Sequence, residues 1–146
     1  MKREVLNECR LSFPSLSENE GYARAAAAAF AAQADPTVRE ISEIKTAVSE
    51  AVTNAIVHGY RGRTGMVELI MRRYAGGVFY ICVKDKGAGI QDVEQAMTPL
   101  FTTAPEEERA GLGFAVMESF MDKIKVRSRL GEGTTLILEK TLKERV

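Results

Sequence analysis

Glu50 and Asn54 stand four residues apart in a stretch whose apolar residues, Ile41, Ile44, Val48, Ala51, Val52 and Ala55, recur at helical spacing. That spacing puts the two side chains about 40° apart around a helix axis, on the side opposite the apolar stripe. A carboxylate there can take a proton, and an amide oxygen beside it suits Mg²⁺, a hard cation that prefers oxygen ligands. The same pair is also what an ordinary solvated helix face carries. A second group, Asp85-Lys86-Gly87-Ala88-Gly89, directly follows a β-rich run. Two glycines around one residue make a turn; lacking Cβ atoms, they also let a flat ring approach the backbone. Asp85 at the strand end can accept a hydrogen bond from an exocyclic amine such as that of adenine. A third, Gly111-Leu112-Gly113, reads as the opening of a helix, where free N–H groups and the helix dipole favour phosphate. No G-x-x-x-x-G-K-[ST], G-x-G-x-x-G, H-R-D or D-F-G pattern occurs, so nucleotide chemistry here is not that of a P-loop protein or a eukaryotic-type kinase.

The elements that must hold these residues are legible in outline. Leu11-Ser12-Phe13 ends a short strand, and Ser17 with Glu20 reads as a capping box opening a helix to about Ala34. Asp35-Pro36-Thr37 breaks it, and a second helix starts either at Asp35 with Pro36 at its first position or at Thr37 with Glu40, stopping at Gly59. Met66 to Arg73 and Val78 to Lys84 form a hairpin around Gly76-Gly77. A loop runs from Asp85 to Ala110, Leu112 to Met121 is helical, and Ile124 to Arg129 and Thr134 to Lys140 form a last hairpin. The order β-α-α-β-β-loop-α-β-β predicts an α+β two-layer sandwich, with helices on one face of a mixed, mainly antiparallel sheet.

The 146 residues read as a single domain, 1–146, without repeats or linkers. Lys+Arg and Asp+Glu are both 20, so no bulk charge draws the chain to nucleic acid or an anionic membrane. The N-terminal ten residues are too polar for a signal peptide, no apolar run spans a bilayer, and Cys9, Cys82 and one histidine make neither a disulfide framework nor a zinc site. The expected location is the cytoplasm.

Taken together, helix Glu50/Asn54, strand-D-x-G-x-G, a long loop, G-x-G and Gly133-Thr134-Thr135 resemble the GHKL superfamily of Bergerat-fold ATP-binding domains. Val48 to Tyr60 (VSEAVTNAIVHGY), Pro99 to Thr103 (PLFTT) and Glu108 to Phe114 (ERAGLGF) are similar to the anti-sigma F branch of its anti-sigma serine-protein kinases, and the likeness runs from about Phe13 to Leu142. The resemblance implies ATP and Mg²⁺ as cofactors. It implies Asn54 as the Mg²⁺ ligand, Glu50 as base, and Asp85 on the adenine amine with Gly87 and Gly89 flanking the ring. Thr134 or Thr135 would add a hydroxyl, Thr103, Gly111 and Gly113 would line the nucleotide, and Arg109 would reach the γ-phosphate. It also implies a homodimer that inhibits a sigma factor of the sigma F type in its ATP form and phosphorylates a serine of an anti-anti-sigma protein. Glu20 and Arg24 match the partner-binding positions, and Gln91 to Ala110 would form a lid. His58, near a helix end before Gly59, fits capping and the helix dipole rather than a phosphoacceptor. The alternatives are a binding protein without kinase activity, the general-stress anti-sigma kinase, and an interaction module with no nucleotide.

Overall fold

The computed structural model describes residues 3–90, 92, 93, 97 and 105–143, with side chains in the last stretch from Leu112 onward. Among them are β1 (Val5–Pro14), α1 (Glu18–Ala32), α2 (Val38–Thr53), a π-helical turn (Asn54–Gly59), β2 (Met66–Tyr74), β3 (Val78–Asp85), α3 (Pro105–Phe120), β4 (Lys123–Arg129) and β5 (Gly133–Thr141). The strands form one sheet in the order β1-β2-β3-β5-β4. All four ladders are antiparallel, as the mainly antiparallel sheet expected from the sequence requires, with no parallel pair among the described residues. The first strand is also longer than its Leu11–Phe13 end suggests. Polar and apolar residues alternate along it because only one face meets the helices.

Period two along the strands selects the core. Val67, Leu69 and Met71 of β2, Phe79, Ile81 and Val83 of β3, and Leu136 and Leu138 of β5 are buried against the helices. Asp85 and Thr134 continue the same two rows, which is why both polar residues lie on the covered face. From the helices come Ala23, Ala27 and Ala31, spaced four apart on α1, and Ile44, Val48, Ala51 and Val52 on α2. Small residues at that spacing let α1 lie close to its neighbours, a use of the alanine run beyond helix propensity.

The start of α2 is the Thr37 alternative. Thr37 Oγ1 accepts from the Glu40 N–H at 3.0 Å, and Glu40 Oε1 accepts from the Thr37 N–H at 2.8 Å. Glu40 also accepts from the Lys143 N–H at 3.0 Å, tying the helix to the end of the sheet. Burial pushes the Glu40 carboxyl up, but the N–H groups of Thr37 and Lys143 outweigh it and the net shift is downward. The predicted capping box at Ser17 does not form. Ser17 is already helical (φ −57°, ψ −32°) and makes no side-chain cap, so its hydroxyl cannot turn back on the helix start. Backbone turns serve that end instead, with Asn19 N–H on Leu16 and Glu20 N–H on Ser17.

Candidate functional site

Glu50 and Asn54 sit on successive turns of α2, since the Asn54 N–H bonds the Glu50 carbonyl. They are half-buried rather than on an open face. The cover over Glu50 is α3, at Gly113: a Cβ built there would lie 2.9 Å from Glu50 Oε2. From Asn54 the helix widens into the π turn, ending with Tyr60 N–H on the Ala55 carbonyl at 3.2 Å. Such widened turns recur at functional sites because they re-aim the backbone beyond them.

That re-aimed end reaches the second group. A Cβ on Gly59 would fall 2.9 Å from Asp85 Cγ, and one on Gly87 would fall 2.0 Å from the Gly59 carbonyl oxygen. The Ala88 N–H donates to that carbonyl at 2.6 Å. Asp85 is 9% exposed, and its Oδ1 accepts from the Gly87 N–H at 2.9 Å. Burial raises its pKa above the usual carboxylate value, opposed by hydrogen bonds from the Gly87 and Thr134 backbone. Register sets Thr134, not Thr135, directly opposite Asp85 and on its face; Thr135 pairs with Lys84 and Arg127 on the other. At the ends of these strands lies an open pocket of about 530 Å³ that borders Asp85, Ser128 and Gly133 and both threonines, Thr134 and Thr135; its size is within the usual range of ligand sites.

The glycines of the Asp85–Gly89 turn are required by the packing of the chain itself. Protein backbone occupies the space their Cβ atoms would fill: Gly87 meets Gly59, and Gly89 (φ +74°) would put a Cβ 2.0 Å from the Arg129 carbonyl oxygen. The turn is thereby strapped to the β4–β5 hairpin. Gly131 N–H donates to Ala88 O at 2.6 Å, and Ile90 N–H to Ser128 Oγ at 2.7 Å.

The expectation that Gly111-Leu112-Gly113 opens a helix is corrected. The helix begins at Pro105, so both glycines lie inside it. Proline at the first position followed by Glu106, Glu107 and Glu108 is a strong helix start, and it outweighs the glycines as a boundary. Gly111 and Gly113 therefore do not sit at a helix N-terminus in this structure. Thr103 and most of the Gln91–Ala110 segment, expected as a lid, lie outside the described residues, as does the side chain of Arg109.

The model for the histidine kinase-like ATPase domain matches residues 13–140, nearly the whole chain. An anti-sigma F factor from Halalkalibacterium halodurans is 54% identical over 136 residues, covering 93% of both chains. One from a Thermoanaerobacter species is 53% identical over 137 residues, covering 94% of this chain and 95% of the relative. The chain belongs to the anti-sigma F factor family. The fold agrees: the solved structure of the RsbU and RsbW domains of a Mycobacterium tuberculosis protein superposes with a TM-score of 0.70 at 19% identity, over 96% of this chain and 34% of that one. The helix-on-antiparallel-sheet layers are thus those of the family's ATPase domain.

In this anti-sigma F family member, Glu20 and Arg24 are a half-exposed ion pair at 3.5 Å on α1. Glu20 also takes a short hydrogen bond from Ser49 Oγ, the residue before Glu50. Three residues of the site escaped sequence reasoning. Gly59 signalled only a helix stop, although it packs directly against the Asp85 carboxylate. Tyr60 anchors the start of the turn, its hydroxyl accepting from Lys86 N–H at 2.9 Å and donating to Met66 O at 2.5 Å. Ser128 carried no signal in its residue type; it bonds Gly133 and Thr134 across its own hairpin and the more distant Ile90.

Among the described residues no group of three His, Cys, Asp or Glu side chains could cage a metal. Glu50 and Asn54 nevertheless supply the hard oxygen atoms that Mg²⁺ takes when nucleotide phosphates complete its shell. The donor set fits that use. None of the described helices is long and apolar enough to cross a membrane.

Proposed function

We propose that this chain is an ATP-dependent serine-protein kinase that also acts as an anti-sigma factor. The observation that carries the reading is the buried Asp85 facing Thr134 beneath an open cavity, with Gly59 joining that pocket to the helix of Glu50 and Asn54. A carboxylate kept from water accepts strongly from a single amine, which suits the edge of adenine. Asn54 would hold Mg²⁺, whose charge neutralises the phosphates. Glu50 would take the proton from the attacking serine hydroxyl of an anti-anti-sigma protein as the oxygen–phosphorus bond forms and ADP leaves. Such a base contributes about 10²–10⁴-fold, the rest being positioning and charge. Arg109, Thr103, Gly111 and Gly113 belong to the phosphate side in this reading, and Glu20 with Arg24 to the partner surface. The other partner is a sigma factor of the sigma F type, held by a cytoplasmic homodimer in its ATP form.

The test is transfer of the γ-phosphoryl group in a purified mixture with the anti-anti-sigma protein, using wild type and Glu50→Ala. Wild type is expected to phosphorylate one serine; Glu50→Ala is expected to bind Mg·ATP and transfer nothing. Saturable ATP binding by wild type without transfer would reduce the reading to an ATP-dependent binding protein. Absence of ATP binding in the folded protein would remove the nucleotide reading altogether.

A further inference from the structure

The face of the sheet away from the helices ends in a strand of one sign. β4 is an edge strand, paired only with β5 among the described residues. Its side chains alternate: Lys123, Lys125, Arg127 and Arg129 are exposed, and Ile124, Val126 and Ser128 between them are half-buried. Register sets the exposed group beside Ile137 and Thr135 of β5, on the uncovered face, whereas Ile124 and Val126 pack against the core. Successive cations stand about 6.7 Å apart, the repeat of two strand residues. That is within a Debye length at physiological salt, so each adds to the potential at the next.

Little in the chain answers these charges. Among the described residues, Lys125 and Arg127 make no ion pair. Arg129 reaches Glu132 only at 3.9 Å, with both side chains well exposed. Lys123 stands opposite Glu139, whose two carboxylate oxygens both accept from Arg3. The whole chain carries 20 basic and 20 acidic residues, so this row is a local concentration and not part of a bulk excess. Nor does any described residue hydrogen-bond the backbone of 123–128 from the side away from β5.

Charge on an edge strand keeps like edges apart, and a second β4 is excluded here by its own facing cations. The other free edge is no complement either. On the same face β1 carries Glu8, Arg10 and Ser12, and Glu8 is already held by Arg10 and Arg72. The complement is an acidic strand. A segment laid along β4 would pair its backbone with the open edge and set every second side chain opposite a cation, where opposite charges attract. The side chains between would meet Ile124 and Val126, which suits apolar groups. Single-stranded nucleic acid would answer the charges, but neither the strand's backbone nor its apolar pair.

We propose that β4 is a docking edge for an extended acidic segment of a partner protein, with carboxylates at alternate positions and apolar residues between them. The surface uses none of Glu20, Arg24, Glu50 or Asp85, so it does not depend on the nucleotide reading. Lys123 and Lys125, at its centre and start, do not border the pocket at Asp85.

The probe is a fluorescein-labelled peptide alternating glutamate and valine over seven residues, titrated into the full chain at physiological salt and read by anisotropy. Its control has the same composition with the four glutamates in one block. The alternating peptide is expected to bind at least about tenfold more tightly than the control, because only it can set carboxylates opposite cations at every second position. Lys125→Glu should weaken it by about tenfold or more, one reversed charge turning attraction into repulsion, and Lys123→Glu should act in the same direction. Saturation should slow amide hydrogen exchange in 123–129, a readout that needs no variant. Equal binding of the two peptides reduces the patch to general attraction and overturns the proposal. So does the absence of saturable binding, or protection that falls elsewhere than β4. Tighter binding of oligodeoxythymidylate than of the alternating peptide overturns it in favour of nucleic acid.

Discussion

Gly59 lies directly against the carboxylate of Asp85: a Cβ built on it would fall 2.9 Å from Cγ and Oδ1 and 3.1 Å from Oδ2. The end of the α2 extension and the end of β3 therefore form one wall, with no side chain between them. Asp85 cannot easily retreat, because Gly87 and Thr134 hold its carboxylate through backbone N–H groups. Gly59→Ala is expected to displace the carboxylate and weaken Mg·ATP binding by at least about tenfold, roughly the worth of one charged hydrogen bond. Calorimetry on the folded variant measures it. Wild-type affinity would mean that the position of this carboxylate does not matter to the ligand.

Asp85 should also trade stability for binding. Its folded pKa is raised, chiefly by burial. A carboxyl shifted that way favours the folded state when protonated, a contribution complete below the unfolded pKa and lost as pH rises through the folded one. At pH 7 the ionised group thus opposes folding. Asp85→Asn is expected to match or exceed the wild-type Tm at pH 7 and to lose any advantage below about pH 4, the unfolded Asp range. Nucleotide affinity should fall at least about tenfold. Thermal unfolding at both pH values, beside calorimetry, tests this; a less stable variant with normal affinity would make Asp85 a structural acid.

Much of this was legible in the sequence, for local reasons. Hairpins, the Thr37–Glu40 cap and the apolar face of α2 depend on neighbours within a few residues. The strand-end position of Asp85 followed from the β run before it. What stayed hidden depends on distant contacts. Glu50 looked solvated because nothing near it in sequence announces that Gly113 will pack on its carboxylate. Ser17 and Glu20 fit a capping box, yet Glu20 is engaged by Ser49 and Arg24. Gly111 and Gly113 suggested a helix start, and only the proline and acidic run upstream explain why the helix begins earlier.

Gly113→Ala sets two effects against each other. Inside a helix, alanine is favoured over glycine by about 0.5–1 kcal/mol. The new methyl would lie 2.9 Å from Glu50 Oε2, the free end of a flexible side chain that can swing away at small cost. The variant is therefore expected to keep or gain stability while phosphoryl transfer drops at least about tenfold, within the range a misplaced base can cost. Parallel measurement of Tm and of the single-turnover rate distinguishes this from general damage, which would lower both.

Arg24 offers a separation of the two surfaces. Its ion pair with Glu20 is 3.5 Å long and half open to solvent, so its net worth to folding is small, about 0–1 kcal/mol. Arg24→Glu is expected to leave Mg·ATP affinity as in wild type and to abolish measurable binding of the sigma and anti-anti-sigma partners. Unchanged affinity for both partners would detach this face of α1 from recognition.

Lys140 ties the sheet to α2 and to the end of α3. Its Nζ donates to Glu43 Oε2 at 2.7 Å and to the carbonyl of Phe120, the last residue of α3, at 2.8 Å. Both charged side chains are mostly covered, at 12% and 16% exposed. The hydrogen bond from Lys140 is the main cause that holds the Glu43 carboxyl below its usual range. A depressed carboxylate pKa adds stability that is present above the unfolded pKa and lost as pH falls through the folded one. Lys140→Met keeps the length of the side chain and removes the charge, leaving Glu43 only the exposed Arg39 at 3.0 Å. The cost at pH 7 should be about 1–3 kcal/mol, or roughly 3–9 °C in Tm for a domain of this size. The gap between the two proteins should narrow as pH falls below about 4, where the wild type forfeits the same ion pair. A gap that stays constant from pH 7 to pH 3.5 would assign the loss to the helix-end carbonyl and not to Glu43.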